Sequence, residues 1–318
     1  MSSPTNTSDI HGVPPRAIHE RQLDDDMLCL QRAASASHQR GQLLEAVRVV
    51  AALTLAATGV LATLLGHGRP VVSIVGFFWF IASAFLLKRL AEATARQGAL
   101  LQEMFDTSLF HLPWRSTVAG DPVPEPDVHR LARKLHLGGA KDQRITSGWY
   151  DSTADVPHPY DVFIAQEQNL AWDARLRRRY SYLVVATAIL WTAIGLTTGL
   201  AIANTTLQDT LLSFFVPSLA AYQIAIEIYV GQQRVANERV RLAKVVNGEL
   251  CNGRPGPIPD REWHRLRDVA RDVQDGILRT RLDTTRVPEW FYGRFRDGDE
   301  RDFADTAEGH RLQLAQRA

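Results

Sequence analysis

Tryptophan, amide, carboxylate and arginine side chains are concentrated in the polar segments of this chain. Aromatic faces stack on bases, amides read base edges and arginine binds phosphate, so these are the residue types of a nucleotide site. The same residue types also build the polar network of a helical core, and both interpretations stay open. The candidate ligand or coupling cluster consists of Asp106, Trp114, Trp149, Tyr150, Gln166, Asn169, Trp172, Asp173, Arg177 and Trp290.

Catalytic motifs are absent from the sequence. There is no GxSxG, HExxH, GxxxxGK[ST] or CxxC, and the ten histidines are scattered. We therefore predict no enzymatic activity, no metal site and no cofactor. The net charge of +1 gives no reason to expect a nucleic acid polymer as a partner. The only cysteines, Cys29 and Cys251, fit a reducing compartment better than a disulfide framework.

Four apolar stretches separate these polar segments. A hydrocarbon core of roughly 30 Å needs about 20 mostly apolar helical residues, and each stretch is close to that length. We predict membrane spans at about residues 47–66, 70–88, 182–203 and 209–228. Because the connectors within each pair are too short to hold a domain, the spans form two hairpins. The predicted fold is an all-α membrane protein with cytoplasmic helical extensions and the lipid bilayer as its surroundings.

Basic residues, such as Arg239 after the fourth span, flank the outer ends of both hairpins, whereas the connectors carry only Arg69. Basic residues beside a span stay on the cytoplasmic side. Both termini and the central segment are therefore predicted to be cytoplasmic. By this pattern the chain divides into a disordered N-terminus (1–20), a first hairpin with its cytoplasmic helices (21–112), a cytoplasmic linker region (113–159), a second hairpin (160–251) and a cytoplasmic helical tail (252–318).

A stripe of small residues marks the third span. Gly195, Gly199 and Ala203 recur at intervals of four, which lets another helix approach closely. The neighbouring helix could belong to the same chain or to a second copy in a homo-oligomer. The stripe thus predicts close helix packing without deciding between these partners.

Polar side chains inside the fourth span form a candidate pore or gate. Gln223 and Glu227 lie four residues apart, hence on one helix face, and Pro217 is expected to kink the helix. An ionisable residue in a span usually faces a protein or water-filled interior. The alternative is an interfacial carboxylate paired with an arginine such as Arg234.

Three stretches of the chain resemble a known family. They are QEMFDTSLFHLPW (residues 102–114), AQEQNLAWDARLRRRY (165–180) and VQDGILRTRLDTTRVPEWFYGRFR (273–296), with the pair Trp149 and Tyr150 between the first two. Together with the two hairpins they are similar to the SMODS-associated four-transmembrane family of pore-forming effectors, over about residues 20–310.

The resemblance implies a bacterial anti-phage role beside a cyclic-oligonucleotide synthase. On this basis we expect a homo-oligomer in the inner membrane that permeabilises the membrane when activated, with a cyclic oligonucleotide as the candidate activating ligand. The competing hypothesis is a constitutive small channel or transporter subunit without nucleotide gating.

Overall fold

Helices make up the regular secondary structure of the described part of the chain. The computed structural model describes residues 16–65, 69–150, 156–197, 206–210, 215–253, 258–283, 286–291, 293–294 and 309. In chain order the helices are α1 (Ile18–Arg21), α2 (Asp25–Leu64), α3 (Arg69–Ile81, continued by a π-helical turn, Ala82–Leu87), α4 (Lys88–Leu109), α5 (Ser116–Ala119), α6 (Glu125–Ala132), α7 (Ala140–Thr146), α8 (Tyr160–Leu196), α9 (Leu207–Thr210), α10 (Val216–Asn252) and α11 (Asp260–Asp283). No strand occurs in these residues, which confirms the all-α fold.

Three helical stretches are long and apolar enough to cross a membrane. They are Asp25–Gly59, Ile74–Leu109 and Tyr160–Leu196. Large apolar side chains on their spans, such as Phe77 and Leu190, are exposed, as suits a surface that contacts lipid. The predicted fourth span includes residues 211–214, which lie outside the described residues. These findings confirm an all-α membrane protein.

Each half of the chain contributes one pair of long helices. Helix α2 packs along α4, and α8 packs along α10. In the second pair, the indole N–H of Trp191 donates to Ser218 Oγ at 3.1 Å, and the Thr192 and Tyr222 hydroxyls lie 2.8 Å apart. Because unsatisfied polar groups are costly in lipid, these paired hydroxyl and indole groups hold the third and fourth spans together.

The hydrophobic core lies in the parts of these helices that extend beyond the predicted spans. Leu101 of α4, Phe163 and Leu170 of α8 and Leu266 of α11 are fully buried in one cluster. Each such side chain contributes about 1.5–3 kcal/mol when it leaves water. The cluster thus joins the two halves into one body outside the predicted spans, with α11 packed on α10 and α4.

The predicted disordered N-terminus, residues 1–20, extends too far along the chain. Residues 1–15 lie outside the described residues, but 16–20 are not disordered, because α1 starts at Ile18 and that side chain is fully buried in the core. The linker region, 113–159, contains the short helices α5, α6 and α7. Of these, α6 and α7 pack on α2.

Candidate functional site

A cavity of about 720 Å³ opens between the two halves of the helical body. Its walls come from α2, α4, α7, residues 148–150, α8, α10, α11 and the segment 286–291. On α8 the lining residues Asn169, Trp172, Asp173 and Leu176 follow one another at intervals of three, one and three, which places them on one helix face. All of them precede the predicted third span, so the cavity lies outside the predicted spans.

Two tryptophans form the aromatic wall of the cavity. The indoles of Trp149 and Trp172 are stacked, with ring centroids 5.8 Å apart and planes 6° from parallel. Trp172 is buried, whereas Trp149 is 46% exposed. The amide of Gln22 fixes the backbone here, since its Oε1 accepts from the N–H groups of Trp149 (2.7 Å) and Tyr150 (2.9 Å). Gly148, just before them, has φ +90, which favours glycine.

A partly buried carboxylate joins α8 to α10 on the cavity wall. Asp173 accepts a hydrogen bond from Arg177 Nε and lies 2.8 Å from Arg239 Nε. Arg177 also donates to Gln232 Oε1 (2.6 Å), and Arg239 donates to Asn169 Oδ1 (3.2 Å). Burial alone raises the pKa of Asp173, but Arg177 and Arg239 outweigh burial and bring that pKa down to about 2. The aspartate is therefore ionised at neutral pH.

A second carboxylate, Asp106 of α4, connects several elements on another wall of the cavity. It accepts hydrogen bonds from the Tyr150 hydroxyl (3.1 Å) and Gln274 Nε2 (3.0 Å), and it lies 2.7 Å from Arg281 Nη1. Burial, with the charge of Asp106, raises the pKa of Tyr150 well above its ordinary value of 10.0. The hydroxyl thus stays protonated and keeps donating. These contacts hold α4 and α11 against Tyr150, which follows α7.

Cations outnumber carboxylates in the cavity lining. Burial, with the charge of Arg286, lowers the pKa of His38 well below its ordinary value of 6.5, so this imidazole is neutral at pH 7. Six cations and three carboxylates then give the described lining a formal charge of +3: Lys141, Arg144, Arg177, Arg239, Arg281 and Arg286 against Asp106, Asp173 and Glu289. The cavity therefore suits an anionic ligand.

The structure brings most of the predicted cluster together and leaves three residues outside the cavity. Gln166 is fully buried in the core, where its Nε2 donates to the carbonyl of Ala270 at 2.8 Å. Trp114 donates its indole N–H to the carbonyl of Gly120 at 2.9 Å. Trp290 is 65% exposed. The cluster residues that line the cavity are Asp106, Trp149, Tyr150, Asn169, Trp172, Asp173 and Arg177.

Several cavity residues were missed by sequence reasoning. Their side chains come from helices far apart in the chain, and no local pattern distinguishes them from ordinary surface charges. Arg239 in particular was counted only as a topology signal. Arg281, Arg286 and Glu289 lie in the third stretch that carries the family resemblance, which is the one signal that could have found them. The missed cavity residues include His38, Lys141, Arg144, Arg239, Arg281, Arg286 and Glu289.

The candidate pore residues lie at the junction between the two hairpins. Gln223 Nε2 donates to Glu227 Oε1 at 3.2 Å, and Glu227 Oε2 lies 3.7 Å from Lys88 Nζ. Arg234, the partner of Glu227 in the alternative interpretation, pairs with Asp283 at 2.8 Å. The ion pair of Glu227 therefore connects the first hairpin to the second, rather than two turns of one helix.

Part of the span prediction falls outside the described residues. Gly195 is buried, but Gly199 and Ala203 are not among the described residues. Pro217 stands in the first turn of α10 as described, where proline is tolerated, directly after the undescribed residues 211–214. The predicted kink at this proline thus lies at the edge of the described structure.

Comparisons with known proteins identify the family. The sequence model of the SMODS-associating 4TM effector domain matches residues 16–310. A probable CBASS effector molecule of Bacillus cereus (strain VD146) is 21% identical over 281 residues, which cover 86% of this chain and 91% of that relative. No solved structure matches the chain. Since the family match covers nearly the whole chain, the protein belongs to the SMODS-associating 4TM effector domain family.

Proposed function

We propose that this protein is an anti-phage effector of the bacterial inner membrane, and that a cyclic oligonucleotide activates it to permeabilise that membrane. The family match and the similarity to a probable CBASS effector molecule support the effector role. The three long apolar helices support its place in a membrane. Activation would follow from a cyclic-oligonucleotide synthase acting in the same defence system.

The cavity is the proposed ligand site, and the observation that carries this proposal is a stacked tryptophan pair facing a lining of charge +3. Aromatic planes bind nucleobases, and arginine and lysine bind phosphate. The volume of about 720 Å³ falls within the range of about 300–1,000 Å³ that small-molecule sites occupy. A cyclic di- or trinucleotide offers both the bases and the negative charges that this site would take.

The same helices that line the cavity run into the spans. Helices α2 and α8 are continuous from cavity residues such as His38 and Trp172 to residues of the first and third spans. A ligand that binds one arrangement of these helices better than another would shift the span ends without a flexible linker. We propose that this movement opens a pore in an oligomer of the chain, with Gln223 and Glu227 at its inner end.

The test is membrane depolarisation in bacterial cells that express the protein with or without the cognate synthase. A potential-sensitive dye should report depolarisation only when both proteins are present, and a synthase variant without activity should abolish the signal. Depolarisation by the membrane protein alone would instead favour a constitutive channel. Purified protein in lipid nanodiscs should also bind a cyclic di- or trinucleotide, and failure with all of them would overturn the direct-ligand proposal.

A further inference from the structure

The segment 286–291 lies along the cavity and contributes part of its wall. Arg286, Val287 and Glu289 line the cavity. The carbonyl of Val287 accepts a hydrogen bond from Gln42 Nε2 at 3.1 Å, and Val287 and Phe291 are buried beside Trp172. The segment is thus attached by backbone and apolar contacts on both sides of Glu289.

The Glu289 carboxylate bridges two cations of α7. Its Oε2 lies 2.8 Å from Lys141 Nζ, and its Oε1 lies 2.8 Å from Arg144 Nη1. The side chains of Glu289 and Arg144 are each 44% exposed, so this contact faces water at the cavity opening. Exposed ion pairs contribute little to stability, which makes this connection easy to exchange for another anion.

The far end of the same segment reaches the third span. The Phe291 ring packs on Tyr180, with centroids 5.4 Å apart, and Tyr180 lies just before the third span in α8. Phe291 shares its buried cluster with Trp172 and Leu176, both of which line the cavity. A displacement of the segment would therefore alter the packing at the entrance of this span.

The geometry points to a phosphate subsite at Lys141 and Arg144 that Glu289 fills in the resting protein and a ligand phosphate takes over. A phosphodiester carries one negative charge and two free oxygens, as a carboxylate does, so the exchange keeps both the charge and the number of acceptors. Displacement of Glu289 releases the segment from α7. This inference rests on the proposed function for the identity of the natural ligand, but the subsite itself requires only phosphate chemistry.

Glu289→Gln, which removes the charge and keeps the size, tests this subsite. The matched control is Glu262→Gln: Glu262 is 42% exposed and pairs with Arg265 at 2.8 Å, away from the cavity. In nanodiscs without ligand, hydrogen exchange in peptides that contain residues 286–291 should be faster in Glu289→Gln than in wild type. Inorganic pyrophosphate should bind Glu289→Gln more tightly by about five- to thirtyfold, because Glu289 makes two ion pairs and an exposed pair is worth at most about fivefold. Glu262→Gln should change neither quantity.

A double variant, Lys141→Ala with Arg144→Ala, should lose most pyrophosphate binding at the cavity. Unchanged exchange and unchanged pyrophosphate affinity in Glu289→Gln would overturn the inference. If cyclic di- and trinucleotides bind wild type, Glu289→Gln and the double variant equally, the subsite is wrong while the proposed function stands. If pyrophosphate follows the expected pattern but no cyclic nucleotide binds any variant, the subsite stands and the proposed ligand is wrong.

Discussion

Replacing Trp149 with alanine separates ligand binding from folding better than any other change in the aromatic wall. Trp172 is buried with Leu176 and Phe291, so its removal would also disturb packing. Trp149, in contrast, is 46% exposed, and its backbone bonds to Gln22 do not involve the indole. The loss of one stacked aromatic pair should reduce the free energy of unfolding by only about 1 kcal/mol.

The expected loss of binding is larger than this loss of stability. Stacking of a base on an aromatic side chain contributes about 1–3 kcal/mol, which corresponds to an affinity change of about 5- to 150-fold. Because Trp172 remains as a stacking surface in Trp149→Ala, we expect the lower part of that range, about tenfold. The assay is calorimetric titration of nanodisc-embedded protein with the product of the cognate synthase, followed by depolarisation measurements in cells.

Trp290→Ala is the matched control. It makes the same change at a residue that is 65% exposed and does not line the cavity. Wild-type affinity in Trp290→Ala with about tenfold weaker binding in Trp149→Ala would support the cavity as the ligand site. Equal affinities in all three proteins, or an equal loss in both variants, would refute the reasoning.

Three further substitutions test the ion-pair network of Asp173, the turn at Gly148 and the contact of Glu227 between the two hairpins. Asp173→Asn leaves two buried arginines without a carboxylate and should cost about 3–5 kcal/mol of stability, seen as a lower melting temperature. Folding lowers the pKa of Asp173 from 3.8 to about 2, so its ionisation contributes roughly 2 kcal/mol to the free energy of unfolding. This contribution is complete above pH 3.8 and is lost as the pH falls to 2. Asp173→Asn should not show this pH-dependent loss of stability. Gly148→Ala brings a Cβ within 2.9 Å of Gln22 Nε2 at a positive φ, which should displace Trp149. Nucleotide affinity should therefore fall, while the overall helix content measured by circular dichroism stays unchanged. Glu227→Gln removes the ion pair with Lys88 and should change ion selectivity in planar bilayers with nucleotide affinity intact; unchanged selectivity would argue against a pore role.

The helical fold could be predicted because its signal is local. Absence of charge over about 20 residues identifies a span without reference to any other part of the chain. The cavity face of α8 is also local, since Asn169, Trp172, Asp173 and Arg177 share one side of a helix. Gln166 belongs to the same row of residues, but α11 covers that turn. The sequence pattern therefore identified the face without showing where the cavity ends.

Partners from distant elements could not be predicted in the same way. Arg239 was interpreted as a basic flank of the fourth span, yet it binds Asp173 inside the body. Glu289 resembles an ordinary surface acid until α7 places Lys141 and Arg144 beside it. Such contacts follow from tertiary packing, which a single sequence does not encode as a short-range pattern. The same limit applies to Glu227: the alternative interpretation paired it with nearby Arg234, whereas its ion pair is with Lys88 of the other hairpin.

The charges in the cavity also constrain what kind of ligand could activate the protein. Each carboxylate on the wall holds cations from another element: Asp173 holds Arg239 of α10, Asp106 holds Arg281 of α11, and Glu289 holds residues of α7. A neutral ligand offers these cations no competing charge, so it could distinguish two arrangements of the helices only by packing and by uncharged hydrogen bonds. A ligand with several phosphates can compete for the same cations at more than one wall, and only such a difference in affinity between states shifts a conformational equilibrium.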